Sequence, residues 1–254
     1  MKKYRGVFIK NANEIALMRE ANRLVALALD ALEEAVRPGV TTMSFEKVAR
    51  DFCDRHKVAP AFLGYMGFPF ALCCSVNEEV VHGFPSNRIV KEGDIVSFDM
   101  GVVYQGFYGD SARTVAVGSV DDKTRKLLDV TRESLNKGIE AACIGNDLNA
   151  VGKAVQRYVE GFGFSVIRRF VGHGIGRCLH EKPEIPNYLA PGLPELPLQE
   201  GMVLAIEPMV ATGSFEVDIL DDGWTAVTRD RGMAAHFEHT IAVTGNGPEI
   251  LSRH

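Results

Sequence analysis

The sequence predicts an α/β to α+β fold, with a curved, mainly antiparallel sheet, helices outside it and a site between two related halves. Three observations predict it. Gly39 in RPGVTTMSFEKVARDF corresponds to Gly145 in CIGNDLNAVGKAVQRY, with Lys47 falling on Lys153, and EGDIVSFD corresponds to EGMVLAIE, so one unit recurs at an offset of 106 to 108 positions. Each copy reads as two helices followed by strands. Finally, each copy carries two carboxylates inside strand-like apolar stretches, Asp99 and Asp110 in the first, Glu207 and Glu238 in the second. At 254 residues the chain is long enough for a full core. It reads as one domain with pseudo-repeat halves of about 1–118 and 119–250.

The first helix starts at Asn11, with Glu14 three residues later completing a capping arrangement. It carries Ile15, Met18, Val25, Leu29, Leu32 and Val36 on one face until Pro38-Gly39 stops it. A second helix runs from about Thr42 to His56. IVSFDMGVV and GFYGDSARTVAV then read as strands from their β-branched and aromatic content, separated by a turn at Tyr104-Gln105-Gly106. A two-residue loop at Tyr104 and Gln105 sets Asp99 directly opposite Asp110, within about 5 Å, which is destabilising unless something binds both. The second copy repeats the pattern. Its helices cover about 121–143 (Leu127, Leu128, Leu135, Ile139) and 147–160 (Leu148, Val151, Val155, Val159), and its strands are FSVIRRFV, MVLAIEPMV and HFEHTIAV. In this reading Asp99 and Glu207 occupy equivalent places, each two residues after a small residue on the same strand face, Ser97 and Ala205.

Composition narrows the function classes. With 33 acidic against 28 basic residues, a formal charge of −5 and no basic run beyond the Lys2-Lys3 and Arg168-Arg169 pairs, nucleic acid is not expected as a direct substrate. No apolar core follows the N-terminal lysines and no stretch approaches the roughly 20 apolar residues of a membrane span, so a cytoplasmic protein is expected. The five cysteines, Cys53, Cys73, Cys74, Cys143 and Cys178, are odd in number and lack C-x-x-C spacing. They read as buried small hydrophobes rather than disulfides or zinc thiolates. No amphipathic stretch is left over once the core is assigned, and a monomer is expected.

Two unit charges about 4 Å apart repel by roughly 4 kcal/mol at an effective dielectric of about 20, so four acids share one site only with cations between them. His173 joins them. Its VGHGIG context invites a dinucleotide reading, but a Rossmann glycine turn must open a helix, whereas five of the eleven prolines follow within Pro183 to Pro197. That segment is expected to be an extended rim loop. The flanking glycines instead let the backbone run close to a bound group, and an imidazole suits a borderline metal. One histidine with four carboxylates is an oxygen-rich set that favours manganese, iron or cobalt, with zinc also compatible, and five protein ligands suit two divalent ions better than one. Two ions about 3.5 Å apart could hold a hydroxide between them, formed near neutral pH because metals depress the pKa of water. His82 in SVNEEVVHGFP and His180 in GRCLHEKPEIPNY stand in turn-rich segments, where imidazoles can reach a cavity to donate to an oxyanion or steer a substrate amine, although either residue alone reads first as a surface or packing histidine. His56, His236, His239 and His254 read as surface or packing residues.

The ordered series FLGYMGFP, SVNEEVVHGFP, GDIVSFDMG, GFYGDSARTVAVG, GHGIGRCLHEKPEIPNY, GMVLAIEPM, DDGWTAVTRDRG and FEHTIAVT resembles the type I, bacterial class of methionine aminopeptidases over nearly the whole chain. The resemblance implies the pita-bread fold of two related α/β halves and removal of the N-terminal methionine from nascent polypeptides or peptides with a small second residue. It implies that Asp99 chelates one metal, that His173 and Glu207 hold the other, and that Asp110 and Glu238 bridge the two. Glu207 is then also the proton shuttle, His180 the hydrogen-bond donor to the scissile carbonyl, and His82 a contact to the substrate backbone. Tyr65, Phe68, Cys73 and Trp224 are implied for the methionine pocket, with Phe62 and Leu179 near its wall. Transient ribosome contact is compatible with such a role.

This sequence departs from the commonest pattern at Met66, where a histidine or asparagine is frequent, at Phe68 and at Leu179. It also has Gly101 where many relatives carry a threonine, removing a hydroxyl behind the metals. Two rivals remain: an Xaa-Pro aminopeptidase or prolidase, which usually carries an extra N-terminal domain while about ten residues precede the first helix here, and a non-catalytic relative that binds RNA or protein. The second generally loses ligands, and all five are present.

Overall fold

In the computed structural model, which describes residues 2–254, the apolar periodicities become four long helices. The first, α1 (Ala12–Ala35), is capped by Asn11, whose side chain accepts from Glu14 N–H while the Glu14 carboxylate accepts from Asn11 N–H. It buries Met18, Val25, Leu29 and Leu32 and ends one residue before Val36, which is extended. Helix α2 (Thr42–His56) stops where Lys57 turns left-handed, α3 (Asp122–Ala141) starts on the Asp121 side chain, and α4 (Asn149–Gly161) follows. The pair α1 and α2 covers one part of the sheet through Phe45, Phe52, Phe98 and Val102. The pair α3 and α4 covers another through Leu135, Val151, Val155, Leu204 and Ile241.

The main sheet has nine strands, and every ladder in it is antiparallel. In spatial order they are Glu181–Ile185, Gly172–Gly174, Val203–Ile206, Glu238–Thr244, Phe107–Ala116, Ile95–Tyr104 and Ala59–Pro60, with Gly247–Ile250 on Glu238–Thr244 and Cys73–Val76 on Ile95–Tyr104. This order sets the strands bearing Glu238, Asp110 and Asp99 side by side, with the strand leading to Glu207 next to them. No helix is long and apolar enough to cross a membrane among the described residues.

Several expectations are corrected. The hairpin loop falls at Gln105-Gly106, with φ of 48° and 79°, so Asp99 pairs with Ala112 and Asp110 with Gly101. A two-residue turn of this hand needs positive φ at both central residues, which suits Gly106 as the second. The two acids are therefore diagonal rather than opposite. They remain on one face, because moving the loop by one residue shifts the register by two.

MVLAIEPMV is not one strand. The ladder ends at Ile206 and resumes at Met209–Ala211 against Ala234–His236 in a different sheet; Pro208 has no N–H to continue it. Asp99 thus sits within a strand and Glu207 just past the end of one, so their backbone settings differ. FSVIRRFV contributes only Ser165–Val166. The expected rim loop begins as the edge strand Glu181–Ile185, where Pro183 is tolerated. The glycines flanking His173 answer neighbouring strands rather than a bound group: a Cβ at Gly172 would lie 2.3 Å from Ala205 O, and one at Gly174 2.2 Å from Lys182 O. Cys53, Cys73 and Cys74 are buried as expected, while Cys143 is half-buried and Cys178 exposed.

Candidate active site

Donor atoms of Asp110, His173 and Glu238 lie within 4.8 Å of one another, all buried. His173 Nε2 is 3.7 Å from Asp110 Oδ2 and 3.6 Å from Glu207 Oε1. His173 Nδ1 lies 3.0 Å from Gly174 O. A carbonyl only accepts, so Nδ1 carries the proton and the bare lone pair of Nε2 faces two carboxylates. Asp99 Oδ1, Asp110 Oδ1 and Glu238 Oε1 are buried without a hydrogen-bond partner. Lone pairs converging from four carboxylates and one imidazole, with no donor between them, fit bound divalent cations.

Electrostatics agree. Burial pushes Asp99 up to about 7 and Glu207 up to about 8, and it holds Asp110 and Glu238 well above the usual range with the neighbouring carboxylates adding to it. Acids with raised folded pKa bind more protons folded than unfolded, so the stability they contribute is present at low pH and lost as pH rises through about 7 and 8. Buried histidines work the other way. His173 falls to about 3 and His82 to about 4 by desolvation, so their contribution is lost only as pH drops below the ordinary 6.5. Between about pH 6.5 and 8.5 the acids act alone. The melting temperature of metal-free protein is expected to fall by roughly 5 °C across that window, and added manganese should remove the fall because cations replace protons. A melting temperature that is flat or rising in chelator would refute the charge cluster.

All thirteen candidate residues named from the sequence line one cavity of about 330 Å³, the five metal candidates together with His82, His180, Phe62, Tyr65, Phe68, Cys73, Leu179 and Trp224. One part is charged and the other apolar. Phe68 meets Trp224 edge-on at 5.1 Å and Phe84 at 5.4 Å, and Cys73 sits opposite Asp99 in the ladder. Trp224 follows the Asp221-Asp222-Gly223 turn and is fixed by the Asp222 carboxylate, which accepts from Trp224 N–H and Thr225 N–H at 2.8 Å each.

His82 turns the chain at a φ of 60°, an unfavourable conformation for a non-glycine residue, and its ring meets Phe170 at 5.2 Å. His180 Nδ1 is 2.7 Å from Tyr65 Oη, and its ring centroid is 4.3 Å from that of His173. Desolvation lowers the His180 pKa, favouring the neutral ring. The Tyr65 hydroxyl can donate to Nδ1 or accept from it, and the tautomer with the proton on Nε2 is the one in which it donates.

Of the departures, Met66 is 81% exposed at the mouth and Leu179 forms buried wall. A Cβ at Gly101 would lie 2.9 Å from Ala61 Cβ and 3.1 Å from Phe62 Cε1. Phe62 and Ala61 thus crowd the space a side chain at 101 would take.

The structure adds residues that the sequence did not single out. Asn22 on α1, fully buried, accepts from Asp110 N–H at 3.1 Å. Thr240 Oγ1 donates to Asp110 O at 2.8 Å, Ser111 Oγ to Glu238 O at 2.6 Å and Asn187 Nδ2 to Glu207 O at 3.0 Å. Each holds the backbone beneath one of the acids. His236 is no surface or bland packing residue: it is 1% exposed, its Nε2 is 3.6 Å from Glu207 Oε2, and neither ring nitrogen has a hydrogen-bond partner. Nothing in the sequence singled it out, because the strand Ala234–His236 ends there and Glu238 opens a strand of a different sheet. Arg169, Phe170 and Val171 also line the cavity, without a signal in the sequence.

Residues 16–245 match metallopeptidase family M24. The chain belongs to that family. A methionine aminopeptidase of Clostridium perfringens is 51% identical over 247 residues, covering 97% of this chain and 98% of that one. The crystal structure of methionine aminopeptidase from Thermotoga maritima aligns with a TM-score of 0.95 at 49% identity, covering 98% of this chain and 100% of that one. Prolidase from Pyrococcus furiosus shares the fold at a TM-score of 0.78 and 25% identity, covering 97% of this chain but 65% of that one. The fold is thus the pita-bread arrangement, and within the family the chain groups with the methionine aminopeptidases rather than the prolidases.

Proposed function

We propose that this metallopeptidase removes the N-terminal methionine from nascent polypeptides and peptides whose second residue is small. The observation that carries the reading is the junction, in one cavity, of a five-donor charged cluster with an aromatic and thiol-lined apolar pocket. Asp99, Asp110, His173, Glu207 and Glu238 would hold two divalent ions, with manganese, iron or cobalt suited to the donor set and zinc compatible. Bound there, the ions supply Lewis acidity and lower the pKa of water. The side chains supply the rest. Glu207 accepts a proton at its carboxylate and delivers it to the departing amine. His180 donates from Nε2 to the scissile carbonyl oxygen as it gains charge. His82 contacts the substrate backbone beside that bond, and Phe68, Cys73 and Trp224 take the flexible thioether, which gains sulfur to aromatic contact.

Specificity tests this reading. Ala, Gly, Ser, Cys, Thr, Pro or Val should be accepted as second residue, and Lys, Arg, Leu or Phe refused, with kcat/KM for Met-Ala-Ser exceeding that for Met-Lys-Ser by at least about tenfold. An acetylated peptide should not be cut. Comparable rates for Met-Ala-Ser and Met-Lys-Ser, or release of proline-adjacent residues other than methionine at similar rates, would overturn the substrate assignment.

A further inference from the structure

A buried ion pair stands behind the turn that carries Leu179 and His180. Lys10 Nζ lies 2.7 Å from Glu181 Oε2, with side chains 0% and 3% exposed. The pair joins the residue before the α1 cap to the residue after His180. Taking two charges out of water is costly, and their attraction offsets the cost only where the remaining hydrogen-bonding capacity is used. Glu181 uses it: Oε1 accepts from Arg177 N–H at 2.8 Å and from Cys178 N–H at 3.3 Å. Lys10 Nζ also donates to Phe8 O at 3.3 Å. A Cβ at Gly176 would lie 2.6 Å from Lys10 Cε and 2.7 Å from Glu181 Oε1, so the turn closes directly on the pair. One carboxylate thus fills the inside of turn 176–181, and one ammonium neutralises it.

We propose that Lys10 and Glu181 are positioning residues for the reaction, holding this turn so that His180 meets the scissile carbonyl. The inference rests on the role given to His180 above. His180 is exposed on one side, and its aim comes from the backbone beneath it together with the contacts of its ring to His173 and Tyr65. Neither Lys10 nor Glu181 lines the cavity, so they act through His180. Misplacing a reacting group by about 1 Å costs on the order of 10²-fold in rate.

The test uses the metal-loaded enzyme with Met-Ala-Ser, placing Lys10→Met and Glu181→Leu each in the parent and in His180→Ala. In the parent, kcat should fall by roughly 10- to 100-fold with KM and metal content nearly unchanged. In His180→Ala the same changes should cost less than about twofold, since nothing remains to be positioned. Lys10→Met leaves a buried carboxylate unpaired and can prevent folding. The double variant Lys10→Met/Glu181→Gln removes both charges while the amide oxygen still accepts from the turn, and it should recover most of the lost kcat. Amide hydrogen exchange at Arg177 and Cys178, measured without metal, should quicken by about tenfold or more in Glu181→Leu. Equal losses in both backgrounds, or unchanged exchange, would overturn the proposal. Full kcat in His180→Ala alone would overturn the role of His180 instead, and that single variant tells the two failures apart.

Discussion

Replacing Glu238 by Gln is expected to abolish turnover and to lower bound metal below that of the parent. Glu238 is 2% exposed, and its Oε1 has no partner in the protein, so its charge is directed at whatever fills the cluster. Removing one anion from five donors weakens cation binding directly. Loss of about 4 kcal/mol of transition-state stabilisation corresponds to a rate loss of roughly 10³-fold. Asp99→Asn should act in the same direction. At alkaline pH the metal-free Glu238→Gln protein should also melt higher than the parent, because burial and the carboxylates of Asp110, Glu207 and Asp99 oppose ionisation of Glu238 and the variant has one fewer buried carboxylate to ionise. Metal analysis by mass spectrometry, kinetics and calorimetry on one preparation decide the matter. Near-normal activity at full metal content would sink the metal assignment.

His180→Ala should lower kcat by roughly 10²-fold or more with metal content intact, since one lost donor to a developing oxyanion costs about 3 kcal/mol. Tyr65→Phe should move the same parameter by a smaller factor, because it removes the hydroxyl at 2.7 Å that holds His180 Nδ1. A rise confined to KM in His180→Ala would mark it as a ground-state contact and remove it from the chemistry.

The parts of this protein legible in the sequence were those governed by local rules. The Asn11 and Glu14 capping pair is complete within four residues, and α1 starts where it says. Likewise the acids announced themselves because a charge in an apolar strand needs compensation wherever the strand lies. Register was less secure. One residue in the placement of the Gln105-Gly106 turn made Asp99 and Asp110 diagonal neighbours, a distinction that hydrophobic alternation does not make because both registers keep the same face buried.

What the sequence by itself determined was therefore the helices, the strands bearing Asp99, Asp110 and Glu238, and the kinds of donor available to the site. Tertiary structure alone decided how those donors are held. Asn22 reaches Asp110 across 88 positions, Thr240 reaches it across 130, and Lys10 meets Glu181 across 171. None of these pairs carries a local pattern, since each is a single polar side chain whose purpose appears only when packing brings its partner within hydrogen-bond distance and excludes water. His236 is the same case. Its sequence neighbours suit a packing residue as well as a polar one, and only the folded sheet sets its ring against Glu207.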